Sequence, residues 1–146
     1  MKNKFYLFFF TGFLIITPFF LHAQTAEELE VILRTEYVTW SQAANFIIRS
    51  TDTNFRGSAL EYAAANSWTK RSAPGDPITL GELSFLMMKS FNIKGGMMYS
   101  IFPGPRYAYR TMVSRSFIQG ASDPSHKVNG RQFLIILGRV LSAQGE

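Results

Sequence analysis

Three short segments decide the fold: Val38-Thr39-Trp40-Ser41-Gln42, Ile78-Thr79-Leu80-Gly81-Glu82 and Val128-Asn129-Gly130-Arg131-Gln132. Each places a β-branched residue before Thr or Asn, then two variable positions, then Gln or Glu. This spacing is typical of a capped helix N-terminus, because each polar side chain satisfies the free backbone N–H of the other residue. Each segment continues into an apolar pattern of helical period. A basic residue follows at the same offset in all three: Arg49, Lys89 and Arg139.

Further helix starts are marked in the same way. Thr25 with Glu28 and Ser58 with Glu61 have the capping-box spacing, and Pro103-Gly104-Pro105 precedes another helix with proline at its first position. The sequence therefore predicts an all-α fold, because no stretch alternates with period two for long enough to form a strand. The predicted helices cover residues 26–36, 40–50, 59–68, 80–92, 106–118 and 130–142.

The helices repeat along the chain. The three opening segments are separated by 40 and 50 residues, which is typical of stacked helical repeats. Trp68 lies ten residues before Ile78, as Ile118 does before Val128, so the preceding helices also align. Turn-rich links cover residues 69–77 and 119–127, whereas the first link is much shorter. We expect a compact bundle of three helix–loop–helix repeats, with about six helices.

The N-terminus has the three parts of a secretory signal peptide. Lys2 and Lys4 precede a mostly apolar run over residues 5–21, and small Ala23 suits the residue before a cleavage site. An uncleaved membrane anchor is the alternative, although the run is short for the roughly 20 residues that a spanning helix needs. We predict a signal peptide over 1–23 and one domain over 24–146. The protein is then exported to the periplasm or the outer cell surface, with membrane contact only through the signal peptide.

Composition argues against several function classes. The chain has no cysteine, which excludes disulfides, thiol catalysis and thiolate metal sites. Its basic surplus is scattered, whereas nucleic-acid binders concentrate theirs on one face, so no polynucleotide partner is expected. His126 is the sole histidine after residue 23, and no catalytic motif or metal-ligand spacing is present. We expect no enzyme activity, no cofactor and no metal; a small hydrolase or lyase would need a site of unfamiliar form.

The organisation resembles the S-layer homology family of bacterial envelopes. Its module is a helix, a loop rich in Gly, Asp and Pro, and a second helix opening with a motif of the type Ile-Thr-Arg-Ala-Glu. Residues 120–132 look like one such module and residues 68–82 like another, while 27–48 match in the second helix. The resemblance implies a pseudo-threefold bundle of three modules that attaches proteins to cell-wall polysaccharide.

One departure from the family bears on function. The family's ligand-contacting arginine aligns with Trp40, Leu80 and Gly130, none of which offers the planar donor fork that binds an acidic sugar. Arg131 is displaced from that position by one residue, about 100° around a helix. The sequence thus predicts the scaffold without the usual sugar-binding chemistry.

The remaining candidates lie between the second and third repeats. Residues 95–105 form a predicted loop that is unusually apolar, and a basic, tyrosine-containing helix follows it. The partner- or glycan-binding candidates are Met98, Tyr99, Phe102, Arg106, Tyr107, Tyr109, Arg110 and Arg131. We expect a non-enzymatic envelope structural or interaction protein that docks an envelope protein through residues 97–115. The alternatives are a module that binds peptidoglycan or another wall glycan, and a loop that merely covers one end of the bundle.

Overall fold

The computed structural model describes residues 19–69, 73–120 and 123–145, with side chains from residue 26 onward. This part of the chain is all-helical, as predicted, and its strand-like pairing is limited to two isolated bridges. Seven helices are present in these ranges: α1 (Phe19–Arg34), α2 (Trp40–Thr51), α3 (Ala59–Ala65), α4 (Leu80–Ser90), α5 (Met97–Ile101), α6 (Pro105–Ser114) and α7 (Gly130–Gln144). None of them has both the length and the apolar character required to cross a bilayer.

The predicted caps at the starts of α2, α4 and α7 are confirmed. Thr39 and Thr79 form complete capping boxes, in which the N-cap backbone N–H donates to the side chain three residues on, at 2.9 and 3.0 Å. Asn129 forms only half of a capping box: its side-chain oxygen accepts a hydrogen bond from the Gln132 backbone amide at 2.8 Å. Pro105 occupies the first turn of α6, as its position suggested. These local interactions fix where the helices begin.

Three sequence predictions about helix boundaries are wrong. Thr25 lies inside α1, whose described part starts at Phe19, so it does not cap this helix. The predicted loop 95–105 contains the short helix α5, which brings the number of helices above the expected six. α6 ends at Ser114 and α3 at Ala65, about one turn earlier than predicted. Residues 1–18, most of the predicted signal peptide, lie outside the described residues.

A closed ring of backbone hydrogen bonds joins the residues that precede α2, α4 and α7. The Ile78 amide donates to the Val38 carbonyl at 2.9 Å, Val128 donates to Ile78 at 3.0 Å, and Val38 donates to Val128 at 2.8 Å. All three side chains are fully buried. The ring therefore satisfies three buried N–H groups and three carbonyls that would otherwise lose hydrogen bonds with water.

The first amide of each of these helices donates to a link elsewhere in the chain. Trp40 donates to the Asp76 carbonyl at 3.0 Å, and Leu80 donates to the His126 carbonyl at 2.9 Å. Gly130 donates to Thr35 at 3.0 Å. Each helix is thus positioned by a segment that is distant in sequence, which no local pattern could reveal.

The C-terminal ends of α3 and α6 share a second motif. Ser67 and Ser116 both adopt the left-handed conformation, with φ of 59° and 62°. The next amide then reaches back to a helix carbonyl, from Trp68 to Ala63 and from Phe117 to Met112, at 2.8 and 2.9 Å. This is the pattern of a Schellman C-cap. Trp68 and Phe117 therefore occupy equivalent positions in this motif. The spacing along the sequence had instead aligned Trp68 with Ile118, one residue later.

The core is built around α4, which is buried along most of its length and packs against α6 and α2. Trp40, Met112 and Phe133 come from three other helices and are each at most 2% exposed. The ring of Phe46 meets that of Phe133 edge-on at 6.0 Å. Trp40 is thus a core residue. α1 and α5 lie at the periphery of the bundle. α1 packs mainly on α7, and α5 packs mainly on α6.

Candidate functional site

α5 carries four large apolar side chains that the fold leaves exposed. Met97, Met98, Ile101 and Phe102 are 76, 45, 58 and 59% exposed. We call these four residues the α5 ridge. The Ser100 amide donates to Gly96 at 3.1 Å and the Phe102 amide to Met98 at 2.9 Å, which closes this short helix. A cluster of exposed apolar side chains is characteristic of an interaction site, whereas scattered single ones are ordinary.

Tyr99 faces the other way and fixes α5 to the bundle. Its half-buried ring meets that of Phe85 on α4, with centroids 6.3 Å apart and planes at 62°. The same ring lies on Gly95, where an added Cβ would approach the Tyr99 Cγ to 2.5 Å. Burial raises the pKa of the Tyr99 hydroxyl above its ordinary value. Tyr99 was a candidate contact residue, and its position makes it the anchor beneath the ridge.

The basic candidates lie on α6, the helix against which α5 packs. Arg106 and Arg110 are exposed and one turn apart. The Arg110 guanidinium lies over the Tyr107 ring, 6.0 Å from its centroid, which orients the charge while leaving it accessible. Tyr109 is half-buried and packs against the core. The structure thus brings the two arginines and Tyr107 near the ridge, while Tyr109 has a supporting position.

A hydrogen bond fixes the segment before α5 to the end of α6. The Arg115 guanidinium donates to the Lys94 carbonyl at 2.7 Å. This contact and the Tyr99 ring hold both ends of the 94–102 segment. The ridge is therefore presented on a fixed support, which reduces the ordering cost of binding.

The chain segment that contains the ridge carries one sign of charge. Residues 83–122 include no Asp or Glu, and they include five basic residues: Lys89, Lys94, Arg106, Arg110 and Arg115. Lys94, Arg106 and Arg110 are exposed. This concentration was not predicted, because the basic residues are spread along the whole chain; what distinguishes the 83–122 segment is that it is the longest stretch without Asp or Glu. A complementary partner should carry negative charge around an apolar centre.

Arg131, the last candidate, belongs to a different surface. It lines a shallow groove of about 350 Å³ beside α7, together with Asn129, Gln132 and Ile135. Arg139 also borders this groove, but its guanidinium donates to the Phe117 carbonyl at 3.1 Å and to the Gln119 side chain at 2.9 Å. Arg131 is therefore the more accessible cation of the groove.

The positions that align with the family's ligand arginine are all inside the fold. Trp40 is 2% exposed, Leu80 is 0% exposed, and Gly130 is buried where α7 meets α1. An arginine at any of the three would have to enter the core. Each residue that stands in place of the family's arginine therefore packs inside the fold.

A second groove, of about 400 Å³, lies between α1 and α2. Ile32 and Phe46 form its floor, and Val31 forms one wall. Glu27 and Glu28 stand at its edge. We call it the α1–α2 groove. No local sequence pattern predicts this groove, because α1 and α2 come together only in the folded chain.

Three carboxylates, Glu27, Glu28 and Glu30, lie along the exposed part of α1. Glu30 pairs with Arg34 one turn away. Within the described residues no ion pair involves Glu27 or Glu28, which leave their charge at the edge of the α1–α2 groove.

No model of a known protein family matches the chain, and neither the curated proteins nor the solved structures compared with it include a match. Function must therefore be argued from the surfaces themselves. The described residues hold no group of three or more His, Asp or Glu side chains placed to bind a metal ion. His126 is exposed in the link before α7, where its backbone carbonyl accepts the Leu80 hydrogen bond.

Proposed function

We propose that this chain is an exported, non-enzymatic protein of the cell envelope that docks a protein partner through the α5 ridge. The observation that carries the proposal is the exposure of Met97, Met98, Ile101 and Phe102 on one short, anchored helix. The chain buries a large core elsewhere, so this exposure does not come from a lack of packing partners. Export is supported by the basic, apolar and small-residue order of residues 1–23.

We also propose that the scaffold consists of three S-layer-homology-like repeats related by a pseudo-threefold axis. The closed ring of hydrogen bonds among Val38, Ile78 and Val128 supports this arrangement, because each residue both donates to one equivalent residue and accepts from the other.

Site-specific photo-crosslinking in cells tests the docking function. A photoreactive amino acid replaces Phe102, and a second strain carries it at exposed Ser125 in the link before α7 as a matched control. We expect a discrete crosslinked protein adduct from position 102 and none from position 125. Equal labelling at both positions, or no protein adduct from position 102, would contradict the proposal.

Binding of a wall glycan is the second candidate, and the groove around Arg131 favours it. Arginine beside the side-chain amides of Asn129 and Gln132 offers the kind of donors that hydroxyl and carboxylate groups accept. Co-sedimentation with purified sacculi tests this function. Salt-resistant binding that Arg131→Ala abolishes, and that Arg106→Ala/Arg110→Ala leaves intact, would establish the glycan function at this groove.

A further inference from the structure

The α5 ridge has a specific chemistry. Its four apolar side chains belong to a chain segment that includes the exposed Lys94, Arg106 and Arg110, and no acidic residue occurs between residues 83 and 122. A surface that covers the ridge must therefore combine an apolar recess with acidic groups. Either feature alone would leave part of the ridge unmatched, since apolar side chains need burial and guanidinium groups need a counter-charge.

The same chain displays a surface with the complementary properties. The α1–α2 groove has an apolar floor of Ile32 and Phe46 and an acidic edge of Glu27 and Glu28. Val31, in its wall, is 56% exposed.

Size and charge both match. The groove volume of about 400 Å³ is sufficient for one aromatic side chain such as Phe102, with Met98 or Ile101 beside it. The edge carboxylates then face the arginines of α6. An anionic lipid surface would satisfy the ridge but would leave the acidic groove without a role, whereas a second copy of the chain accounts for both surfaces.

We infer that the partner docked by the α5 ridge is a second copy of this chain, which presents its α1–α2 groove. The inference rests on the proposed docking function, because both use the same ridge. Two copies that exchanged ridge and groove reciprocally would close a two-fold dimer, but the two surfaces share no residue, so each molecule can also offer its ridge to one neighbour and its groove to another. Such head-to-tail contacts build rings when the rotation closes and open chains when it does not. The protein would thus be the subunit of an assembly.

Sedimentation velocity of the protein recovered after expression of the full chain, with its N-terminus read by mass spectrometry, tests the inference. We expect oligomers whose mass grows with concentration and falls when salt is raised to about 0.5 M, since screening weakens the edge charges. Phe102→Asp destroys the ridge and Glu27→Lys/Glu28→Lys reverses the edge of the groove. Each change should weaken assembly about tenfold or more. The matched controls are Leu141→Asp on α7 and Glu61→Lys on α3, which should assemble as the wild type does.

Mixing the two defective variants gives the sharpest result. Phe102→Asp keeps its groove, and Glu27→Lys/Glu28→Lys keeps its ridge, so an equimolar mixture should form a dimer and nothing larger. A ridge-to-ridge contact would instead leave the groove variant fully assembled. A wild-type protein that stays monomeric at about 100 μM would overturn the inference. So would flotation of monomers with vesicles of phosphatidylglycerol and phosphatidylethanolamine that depends on Phe102.

The crosslink at position 102 separates the two proposals. An adduct at twice the mass of the chain supports both of them. An adduct with a different protein keeps the docking function and overturns self-assembly. The absence of any protein adduct overturns both.

Discussion

The backbone of Gly130 lies against the carbonyl oxygen of Ile32, so closely that a Cβ built on Gly130 would overlap this oxygen. The Gly130 amide also donates to the Thr35 carbonyl at 3.0 Å. α1 and α7 meet at this point, and glycine is required there by the close approach rather than by its φ. Gly130→Ala must separate the two helices. We expect a loss of about 3 kcal/mol or more in the free energy of unfolding, measured by urea denaturation.

Gly138 provides the matched control on the same helix. A Cβ at Gly138 would have no other atom within 4 Å, and the residue is exposed. Gly138→Ala should therefore stabilise the protein by about 0.5–1 kcal/mol, because alanine restricts the unfolded chain and favours a helix. Equal changes in the free energy of unfolding for Gly130→Ala and Gly138→Ala would contradict the close packing of α1 on α7.

The caps before α2, α4 and α7 should have comparable energies if the repeats are equivalent. Thr39→Ala, Thr79→Ala and Asn129→Ala each remove a side chain that accepts a hydrogen bond from a helix amide. Each should cost about 1 kcal/mol in the free energy of unfolding. Thr39→Ser and Thr79→Ser, which keep the hydroxyl, should lose much less. A cap whose removal has no effect would mark a helix that begins elsewhere.

Ser116 offers a stabilising substitution. Its φ of 62° places it in the left-handed region, which is unfavourable for a residue with a Cβ. Ser116→Gly should raise the free energy of unfolding by about 0.5–1 kcal/mol. Ser114→Gly, two residues earlier inside α6, should lower it instead. The two signs can be compared in one thermal-melting experiment, and a loss of stability at both positions would argue against the C-cap.

The pKa of Tyr99 reports whether α5 is anchored. Because burial raises this pKa in the folded protein, the neutral Tyr99 side chain makes its full contribution to the free energy of unfolding below the unfolded-state pKa near 10.0. This contribution is lost as the pH rises through the folded-state pKa. α5 should therefore loosen in strong base, and Tyr99→Phe should remove this step from an ultraviolet titration.

Gly95→Ala tests the same anchor from the other side. The added methyl group displaces the Tyr99 ring, so the Tyr99 pKa should return toward its ordinary value. Gly96→Ala, whose Cβ would meet nothing within 4 Å, should leave the titration unchanged. A Tyr99 pKa that is the same in Gly95→Ala and in the wild type would show that the ring does not rest on Gly95.

The sequence predicted what depends on short-range chemistry. The starts of α2, α4 and α7 could be read from Thr39, Thr79 and Asn129, because a capping box is a contact between residues three apart. α5 was missed because its N-cap is Gly96, which has no side chain to form such a bond.

Features that depend on distant segments could not be predicted from local patterns. The ring through Val38 joins residues 40 to 90 positions apart, and the α1–α2 groove forms from the crossing of two helices. The candidate site was predicted in part. Phe102 and Met98 are exposed as a docking surface requires, whereas Tyr99 has an anchoring position and Arg131 lies on a separate groove.

The most direct test of the account is whether the α5 ridge is covered in intact cells. The chain contains its own probes, since Met97 and Met98 lie in the ridge while Met87, Met88 and Met112 are at most 1% exposed. Brief treatment with a methionine oxidant, read by mass spectrometry, converts accessible thioethers to sulfoxides. In the dilute purified protein, Met97 and Met98 should oxidise rapidly and the three buried methionines slowly. In intact cells, the account predicts that Met97 and Met98 become protected, and Phe102→Asp should restore their oxidation. Equally fast oxidation of Met97 and Met98 in cells and in the dilute protein would contradict it.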